Sequence, residues 1–178
     1  MPPETIKTLR GFRQTRDYQD RPLPDDLLRD VLEVGRWSGS SKNTQPWNFL
    51  VVTDMPTLRR LAEIVPFGKF LPSAPVVIAL VMDGPGSGQS FDAGRVAERM
   101  MVAAHAHGLG AGVATISGAD LERQALEALG VPEGHGLGVF VALGYPTPRD
   151  PNAPRRAGAG RRPLDDLVHY ERFGQRRR

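Results

Sequence analysis

The sequence predicts a mixed α/β fold of three layers, in which helices pack on a central β-sheet. Stretches with the periodicity of helices alternate along the chain with short apolar stretches typical of strands. One of these apolar stretches, residues 74–82, is apolar at nearly every position, which is typical of a central strand covered on both faces. With 178 residues, the chain is long enough to form one domain with a sizeable core.

Five segments are predicted to be helical, and they cover residues 4–16, 24–38, 55–64, 91–108 and 120–129. The second is the clearest, because its leucines and valines recur at helical spacing. Pro24 suits the first helical position there, and Asp25 and Asp26 suit the positive end of the helix dipole. In the last helix Asp120 is the expected N-cap, and Gly130 is expected to end the helix.

Four short strands are predicted between these helices, over residues 48–53, 74–82, 111–117 and 137–143. Residues 83–90 are rich in Gly, Ser and Pro and are predicted to form a mobile loop, without the Gly-Lys-Ser/Thr ending of a phosphate-binding loop. Residues 146–163 are expected to form an extended arm of a single domain spanning 1–174, and residues 175–178 a basic tail.

The composition argues against several classes of function. The sequence has no cysteine, so disulfides, thiolate metal sites and a cysteine nucleophile are excluded. The net charge of +3 does not indicate nucleic-acid binding, because aromatic residues make up only 7% and do not alternate with the arginines. No stretch approaches the roughly 20 apolar residues that span a bilayer, and the first residues lack a signal-peptide pattern. We therefore expect a cytoplasmic location with no nucleic-acid or membrane partner.

Three motifs resemble catalytic or binding signatures but lack the context that their chemistry needs. The glycine-rich run 108–112 resembles a dinucleotide fingerprint, but it follows a predicted helix and precedes a strand, so it is interpreted as a helix C-cap and turn. His105 and His107 lie two positions apart on a helix and point to different faces, which argues against a metal site. Ser117-Gly118 lacks the preceding glycine of a nucleophile elbow. No catalytic side chain and no metal ligand is predicted.

Two segments are candidates for binding an anion or a ring. Arg13 and Arg16 are three positions apart, which on a helix places both guanidinium groups on one face, where they suit a phosphate. A solvated helix face explains the same pair. The loop 40–47 combines hydroxyl and amide side chains, which can match the donor and acceptor edge of a heteroaromatic ring. A loop bonded to itself between a helix and a strand explains those residue types equally well.

The order of several motifs along the chain carries more information than any one of them. They are Arg13-Gln14-Thr15-Arg16, Ser40-Ser41-Lys42-Asn43-Thr44-Gln45-Pro46-Trp47, Ser73-Ala74-Pro75, Gly108-Leu109-Gly110, Ala142-Leu143-Gly144-Tyr145-Pro146 and Arg161-Arg162-Pro163-Leu164. In this order, over residues 8–174, the chain resembles the FMN-dependent nitroreductase family, as a small member.

The resemblance implies an α+β, nitroreductase-like three-layer fold, with a central mixed or antiparallel sheet flanked by helices and an intertwined homodimer. Two FMN molecules would sit at the dimer interface. NAD(P)H would pass hydride to flavin N5, and a small oxidised acceptor such as a nitroaromatic or a quinone would take the electrons in a ping-pong cycle. Because this chemistry belongs to the cofactor, no catalytic side chain is required. The short segment 83–90 implies an open, permissive pocket.

The resemblance also assigns roles to individual positions. Those implied to contact FMN are, in chain order, Arg13, Gln14, Arg16, Ser40, Ser41, Asn43, Gln45, Lys69, Ser117, Gly118, Arg161 and Arg162. The first three correspond to contacts with the phosphate and the ribityl chain, and those of the loop 40–45 to contacts supplied by the partner subunit. Lys69 corresponds to a basic residue near the pyrimidine edge, and residues 117–118 to a backbone amide facing N5. Arg161 corresponds to a C-terminal phosphate arginine, with Arg162 as its rival.

The same resemblance leaves two other functions open. One is different flavin chemistry on the same fold, such as that of a specific dehydrogenase or a flavin-destroying synthase. The other is a flavin-binding or regulatory protein with little turnover. The sequence does not choose between NADH and NADPH as the electron donor.

Overall fold

The structure is a computed structural model that describes residues 3–84, 87–148 and 160–176, without the side chains of residues 87 and 88. The chain divides into two compact units, residues 1–147 and residues 148–178, and each is described by itself. Most of the predicted arm at 146–163 lies outside the described residues, as do Arg177 and Arg178 of the predicted tail.

The first unit is built on one antiparallel sheet of four strands, in the order β1-β2-β4-β3. Their bounds are Trp47–Val52 for β1, Val76–Asp83 for β2, Gly110–Ala114 for β3 and His135–Gly144 for β4. β2 is buried from Val76 to Met82, as its continuous apolar run predicted. β3 is shorter than β4: it ends where Ala114 pairs with Phe140, and residues 135–139 of β4 continue beyond it.

Helices cover both faces of the sheet. Their bounds are Glu4–Gly11 for α1, Asp25–Arg36 for α2, Met55–Ile64 for α3, Ser87–Ala106 for α4 and Ala119–Ala128 for α5. On one face Ile78 of β2 shares a core with Val31 of α2 and Met100 of α4. On the other face Val77 shares a core with Leu61 of α3, and α5 packs there too. The predicted α+β fold of three layers is therefore confirmed, and the described sheet is antiparallel throughout.

The first two helices differ from the prediction at their ends. α1 ends at Gly11 rather than at residue 16, and Phe12 already has an extended backbone. The Phe12 ring packs against His105, with 5.9 Å between ring centroids, and joins the core on the face of α2 and α4. Because Phe12 packs against His105, its backbone leaves the helical conformation, and α1 ends one residue earlier. At the start of α2, Pro24 is the N-cap and not the first helical residue.

Two further helix starts were predicted wrongly. Residues 87–90, predicted as part of a mobile loop, form the first turn of α4, where Gln89 donates a hydrogen bond to the carbonyl of Asp83. The N-cap of α5 is Gly118, with a φ of 103°, and Asp120 lies inside the first turn instead. A carboxylate there still favours the positive end of the helix dipole. The other predicted helices and strands are present within a few residues of the expected bounds.

Candidate functional site

The edge of the sheet at β3 is covered by the chain segment 12–19. The N–H of Thr15 donates to the carbonyl of Ala111 at 2.7 Å. The buried hydroxyl of Tyr18 lies 2.8 Å from the carbonyl oxygen of Thr15 and 3.2 Å from that of Ala142. Burial raises the pKa of Tyr18, so its hydroxyl stays protonated and remains a hydrogen-bond donor. The segment is thus held against the sheet by its own backbone and by a buried side chain.

Glycines of β3 make this close approach possible. A Cβ at Gly112 would lie 2.1 Å from the carbonyl oxygen of Thr15, and a Cβ at Gly110 would lie 2.7 Å from the Thr15 hydroxyl. A larger residue at either position would push the segment away from the sheet. Gly108, with a φ of 71°, turns the chain out of α4. The predicted helix end and turn are therefore present at residues 107–109, whereas residues 110–112 belong to β3, where the two glycines admit the neighbouring segment.

The predicted phosphate contacts Arg13, Gln14 and Arg16 lie on this segment with exposed side chains. The argument that the two arginines share a helical face was wrong, because the segment is not helical. Arg13 donates to the carbonyls of Arg10 and Phe12 at 2.8 and 2.7 Å, whereas Arg16 donates to the side chain of Gln14 at 3.2 Å. Within the described ranges no carboxylate pairs with either arginine. Each guanidinium has five N–H donors and retains some for an anion.

Lys69 lies in a region that the fold brings next to Arg16. Its neighbour Phe70 lies under the guanidinium of Arg16, with 5.7 Å between Cζ and the ring centroid. The hydroxyl of Ser73 lies 3.5 Å from the carbonyl oxygen of Arg16. Lys69 itself is exposed. This position is compatible with a contact to the same ligand, and the role of Lys69 stays a prediction.

Ser117 and Gly118 lie just beyond β3, which ends at Ala114. The predicted strand 111–117 was therefore too long, and Ser117 is not part of a strand. Both residues are exposed. The side chain of Gln14 accepts the N–H of Val113 at 3.4 Å, so the segment 12–19, here called the arginine segment, runs along β3 toward this end of the strand. α5 begins here, and its N-terminus carries the positive end of a helix dipole. The flavin contact expected at these two residues stays a prediction.

Ser40, Ser41, Asn43 and Gln45 lie in one tight loop that follows α2. The hydroxyl of Ser40 accepts the N–H of Gln45 at 2.8 Å, so the loop is partly bonded to itself. Lys42, Asn43 and Gln45 have φ values of 51°, 55° and 49°, a left-handed backbone that is unfavourable for residues other than glycine. Backbone strain of this kind concentrates at functional sites. The loop thus carries a feature that its residue types alone did not reveal.

Arg161 and Arg162 belong to the second unit, where both are exposed. Arg162 donates to the carbonyl of Asp166 at 3.2 Å. The short 3₁₀ turn Leu164–Asp166 follows them. Their convergence with Arg13 and Arg16 on one phosphate stays a prediction.

A cavity of about 680 Å³ lies between α5, the start of α4 and residues 136–138 of β4. None of the predicted cofactor residues lines it. Ile116 and Ala119 do line it, and they flank Ser117-Gly118. Sequence reasoning missed this cavity, because it forms where β4 continues past β3, and the pairing of two distant strands leaves no signal in a local pattern.

His105 lies in α4 and His107 just after its end, and the two side chains have different surroundings, as predicted. His105 packs against Phe12, whereas His107 lies 3.4 Å from the carboxylate of Asp30. In the part of the chain that the structure describes, no group of three or more metal-ligating side chains is placed to hold a metal ion. No helix in the described ranges is long and apolar enough to cross a bilayer.

Comparison with known protein families assigns this fold. The model of the Nitroreductase family matches residues 9–145, which is well over half of the chain. The chain belongs to the nitroreductase family. The resemblance that the sequence motifs indicated is thereby confirmed.

One curated relative and two solved structures match over most of their length. An Archaeoglobus fulgidus protein, provisionally named an NADH dehydrogenase/NAD(P)H nitroreductase, is 31% identical over 149 residues, or 80% of this chain and 86% of the relative. A solved structure from Desulfovibrio desulfuricans, provisionally named a nitroreductase and in complex with FMN, is 30% identical, with a TM-score of 0.79 over 97% of this chain and 99% of that chain. The FMN-dependent nitroreductase of Clostridium difficile R20291, 24% identical, shares the fold, with a TM-score of 0.81 over 94% of this chain and 99% of that one.

Proposed function

We propose that this nitroreductase-family protein is an NAD(P)H-dependent FMN oxidoreductase that reduces a small oxidised acceptor, such as a nitroaromatic or a quinone. The observation that carries the proposal is the arginine segment. Arg13 and Arg16, without carboxylate partners among the described residues, lie on a backbone that fits against Gly110 and Gly112. When bound, FMN would supply the redox chemistry, taking hydride from the nicotinamide and passing electrons to the acceptor in a ping-pong cycle.

The residues present fit a flavin mononucleotide. Its phosphate is a dianion, which arginines bind well through their planar forks of donors. Arg13 and Arg16 supply two such groups, and Arg161 is the proposed third, with Arg162 as the alternative. The side-chain oxygen of Gln14 is occupied by Arg16 and by a backbone N–H, so its amide N–H groups remain to donate to the ribityl chain or the phosphate.

The ring of the cofactor would then extend along β3. Lys69 is proposed to contact its pyrimidine edge, and the backbone of Ser117 and Gly118 to face N5. All three residues are exposed, and the arginine segment runs toward the end of β3 that leads to Ser117. The Desulfovibrio relative holds FMN and the Archaeoglobus relative is named for NAD(P)H, which supports the same cofactor and donor here.

A homodimer is part of the proposal. α1, α2 and α4 border an apolar groove of about 600 Å³, lined among others by Leu9, Val34, Trp37 and Val102. Trp37 is 69% exposed, and its indole N–H is held by Glu33 at 2.8 Å. A fixed, exposed aromatic residue in an apolar groove is typical of a protein interface. A second copy of the chain is the proposed occupant.

The strained loop 40–45 supports the choice of a second copy. α2 ends at Arg36, and the loop begins three residues after Trp37, which itself lines the groove. A partner seated on the groove would therefore come within reach of Ser40, Ser41 and Asn43. These residues and Gln45 are proposed to contact the cofactor of the partner, so that each site needs both subunits. A cytoplasmic location, where reduced nicotinamides are available, belongs to the same proposal.

The visible absorption spectrum tests the proposed function. We expect the purified protein to be yellow, or to become yellow with added FMN, and we expect NADH or NADPH to bleach it under anaerobic conditions. A protein that cannot be loaded with FMN would overturn the proposal. A yellow protein that neither nicotinamide bleaches would favour a flavin-binding or regulatory protein, and consumption of the flavin itself would favour a flavin-destroying synthase.

A further inference from the structure

β4 continues past the end of β3, and the space beside this continuation is the cavity of about 680 Å³. The pairing of β3 ends at Ala114, opposite Phe140, so no described strand lies on that side of residues 135–139. α5 crosses the gap, and the carboxylate of Glu122 accepts the N–H of Leu137 at 2.8 Å. One side chain thus replaces the missing strand at one position and leaves the rest of the space open.

The cavity has the size and the lining of a site for a small molecule. Ligand pockets commonly measure about 300–1,000 Å³ and combine apolar walls with a few polar groups. Here Ile116, Leu126 and Leu137 provide apolar walls, and Glu133 and His135 provide polar groups. An aromatic compound of one or two rings fits such a volume and such a lining.

The charge of the lining is negative. Arg123, the one arginine among the described residues of the lining, is already neutralised, because it pairs with Glu127 at 2.8 Å and lies 3.8 Å from Asp120. Glu122 and Glu133 form no ion pair with any described residue. Carboxylates without a counter-charge repel an anionic ligand and admit a neutral or cationic one. The lining therefore disfavours a carboxylate or a polyphosphate.

The cavity also lies beside the proposed position of the flavin ring. Ile116 and Ala119 line it, and between them in the chain stand Ser117 and Gly118. If the backbone of these two residues faces N5, the cavity wall formed by Ile116 and Ala119 is next to the reacting edge of the cofactor. A molecule in the cavity would then be close enough to exchange electrons with it.

We propose that this cavity binds the electron acceptor, and that Glu122 and Glu133 make it select uncharged or cationic aromatic acceptors over carboxylated ones. The inference rests on the proposed function for its redox part. Its binding part is independent of flavin. Glu133 is the better position for a test, because Glu122 also holds the backbone of β4.

A binding measurement without FMN tests the cavity directly. Two probes of similar shape are 4-nitrobenzyl alcohol, which is neutral, and 4-nitrobenzoate, which is anionic. In ¹⁵N-labelled protein we expect the neutral probe to shift the amide signals of Gly136 and Leu137. The anionic probe should need concentrations roughly tenfold higher, because of the repulsion between like charges.

The variant Gly136→Phe fills the cavity. A Cβ at Gly136 meets nothing closer than 3.5 Å, so the new ring can enter the space without a clash at its base. We expect this variant to bind the neutral probe about tenfold or more weakly, because the new side chain occupies the volume of the cavity. Unchanged binding of the neutral probe in a folded Gly136→Phe protein would overturn the inference.

Turnover tests the charge selection. The reaction followed is Ar–NO₂ + NAD(P)H + H⁺ → Ar–NO + H₂O + NAD(P)⁺, with each of the two probes. We expect Glu133→Lys to lower the ratio of kcat/KM for the neutral probe to that for the anionic probe by about tenfold. High salt should lower the same ratio in the unmodified protein. Glu63→Lys is the matched control, because Glu63 is an exposed residue of α3 outside the cavity.

The two kinds of failure can be told apart. Loss of the proposed function appears as absence of FMN binding, or of bleaching by nicotinamides, in the unmodified protein. The present inference fails when FMN is bound and bleached but Glu133→Lys changes the ratio no more than Glu63→Lys does. Because Glu133 is exposed, its replacement tests the charge selection even if Gly136→Phe does not fold.

Discussion

The carbonyl oxygen of Thr15 lies 2.1 Å from the point where a Cβ on Gly112 would stand. Carbon and oxygen atoms that are not bonded do not approach so closely, so position 112 admits only glycine in this arrangement. Thr15 belongs to the arginine segment, and its N–H bonds to Ala111 at the edge of β3. The position of this segment, and with it the position of Arg13 and Arg16, depends on the missing side chain at Gly112.

Replacing Gly112 by alanine should therefore displace the arginine segment. We expect Gly112→Ala to lower the free energy of unfolding by about 1–3 kcal/mol, the usual effect of an added methyl group in a packed site. FMN binding should weaken at the same time. Urea denaturation and a flavin titration measure the two effects. Gly94→Ala is the control: a Cβ there meets nothing within 4 Å, and alanine in a helix should stabilise by about 0.5–1 kcal/mol. Unchanged stability and FMN affinity in Gly112→Ala would contradict the expectation.

The phosphate site is tested by removing two arginines together. We expect the double variant Arg13→Ala, Arg161→Ala to bind FMN at least about a hundredfold more weakly, because each charge-assisted hydrogen bond contributes about 1.5–3 kcal/mol. Quenching of flavin fluorescence on binding measures the affinity. Arg60→Ala removes an exposed arginine of α3 that pairs with Glu63, and it should leave the affinity unchanged. Retention of FMN by the double variant would show that the residue assignment is wrong.

The proposed dimer is tested at Trp37. We expect Trp37→Ala to raise the dissociation constant of the dimer by about thirtyfold or more, since buried tryptophans at interfaces commonly contribute about 2 kcal/mol or more. Sedimentation velocity over a range of concentrations measures the change. Phe67→Ala is the control, because Phe67 is 73% exposed but lies outside the groove. A sedimentation profile that Trp37→Ala does not alter would remove the groove as the interface.

The orientation of Trp37 should depend on pH through Glu33. Hydrogen bonds from Arg36 and from Trp37 lower the pKa of Glu33 from 4.5 to about 2. Because the folded pKa is the lower one, the contribution of these bonds is complete above about pH 4.5 and is lost as the pH falls toward 2. We expect the fluorescence of Trp37 to change in that window. The Glu33→Gln variant should lack the transition, and its persistence there would assign it to another group.

The strongest apolar patterns were sufficient to predict secondary structure. β2 is continuously apolar in sequence and buried on both faces in the fold, and α2 has its apolar stripe where Val31 enters the core. In such segments the same burial dictates both the pattern and the structure. The ends of segments were less predictable. α1 stops at Gly11 because Phe12 packs on His105, a contact between residues far apart in the chain.

The candidate site shows the same division. The order of motifs predicted that Arg13, Arg16 and the loop 40–45 belong to one kind of site, and the family match confirms the resemblance on which that rests. The geometry assumed for the arginines was wrong, because a sheet edge and not a helix positions them. The strain in the loop 40–45 depends on backbone angles that residue types do not specify.

By itself, the sequence determined the α+β class, the central strand β2, the family and the residues that are candidates for the phosphate. These conclusions depend on local apolar periodicity and on the order of motifs, and both can be identified from the linear sequence. Only the tertiary structure decided how the segment of Arg13 lies against Gly112, and that β4 continues past β3 to leave a cavity. Both depend on the pairing of residues that are distant in the chain. Thr15 bonds to Ala111, 96 positions away, and Ala114 pairs with Phe140, 26 positions away. Such pairing is decided by packing in three dimensions, so no local pattern reports it.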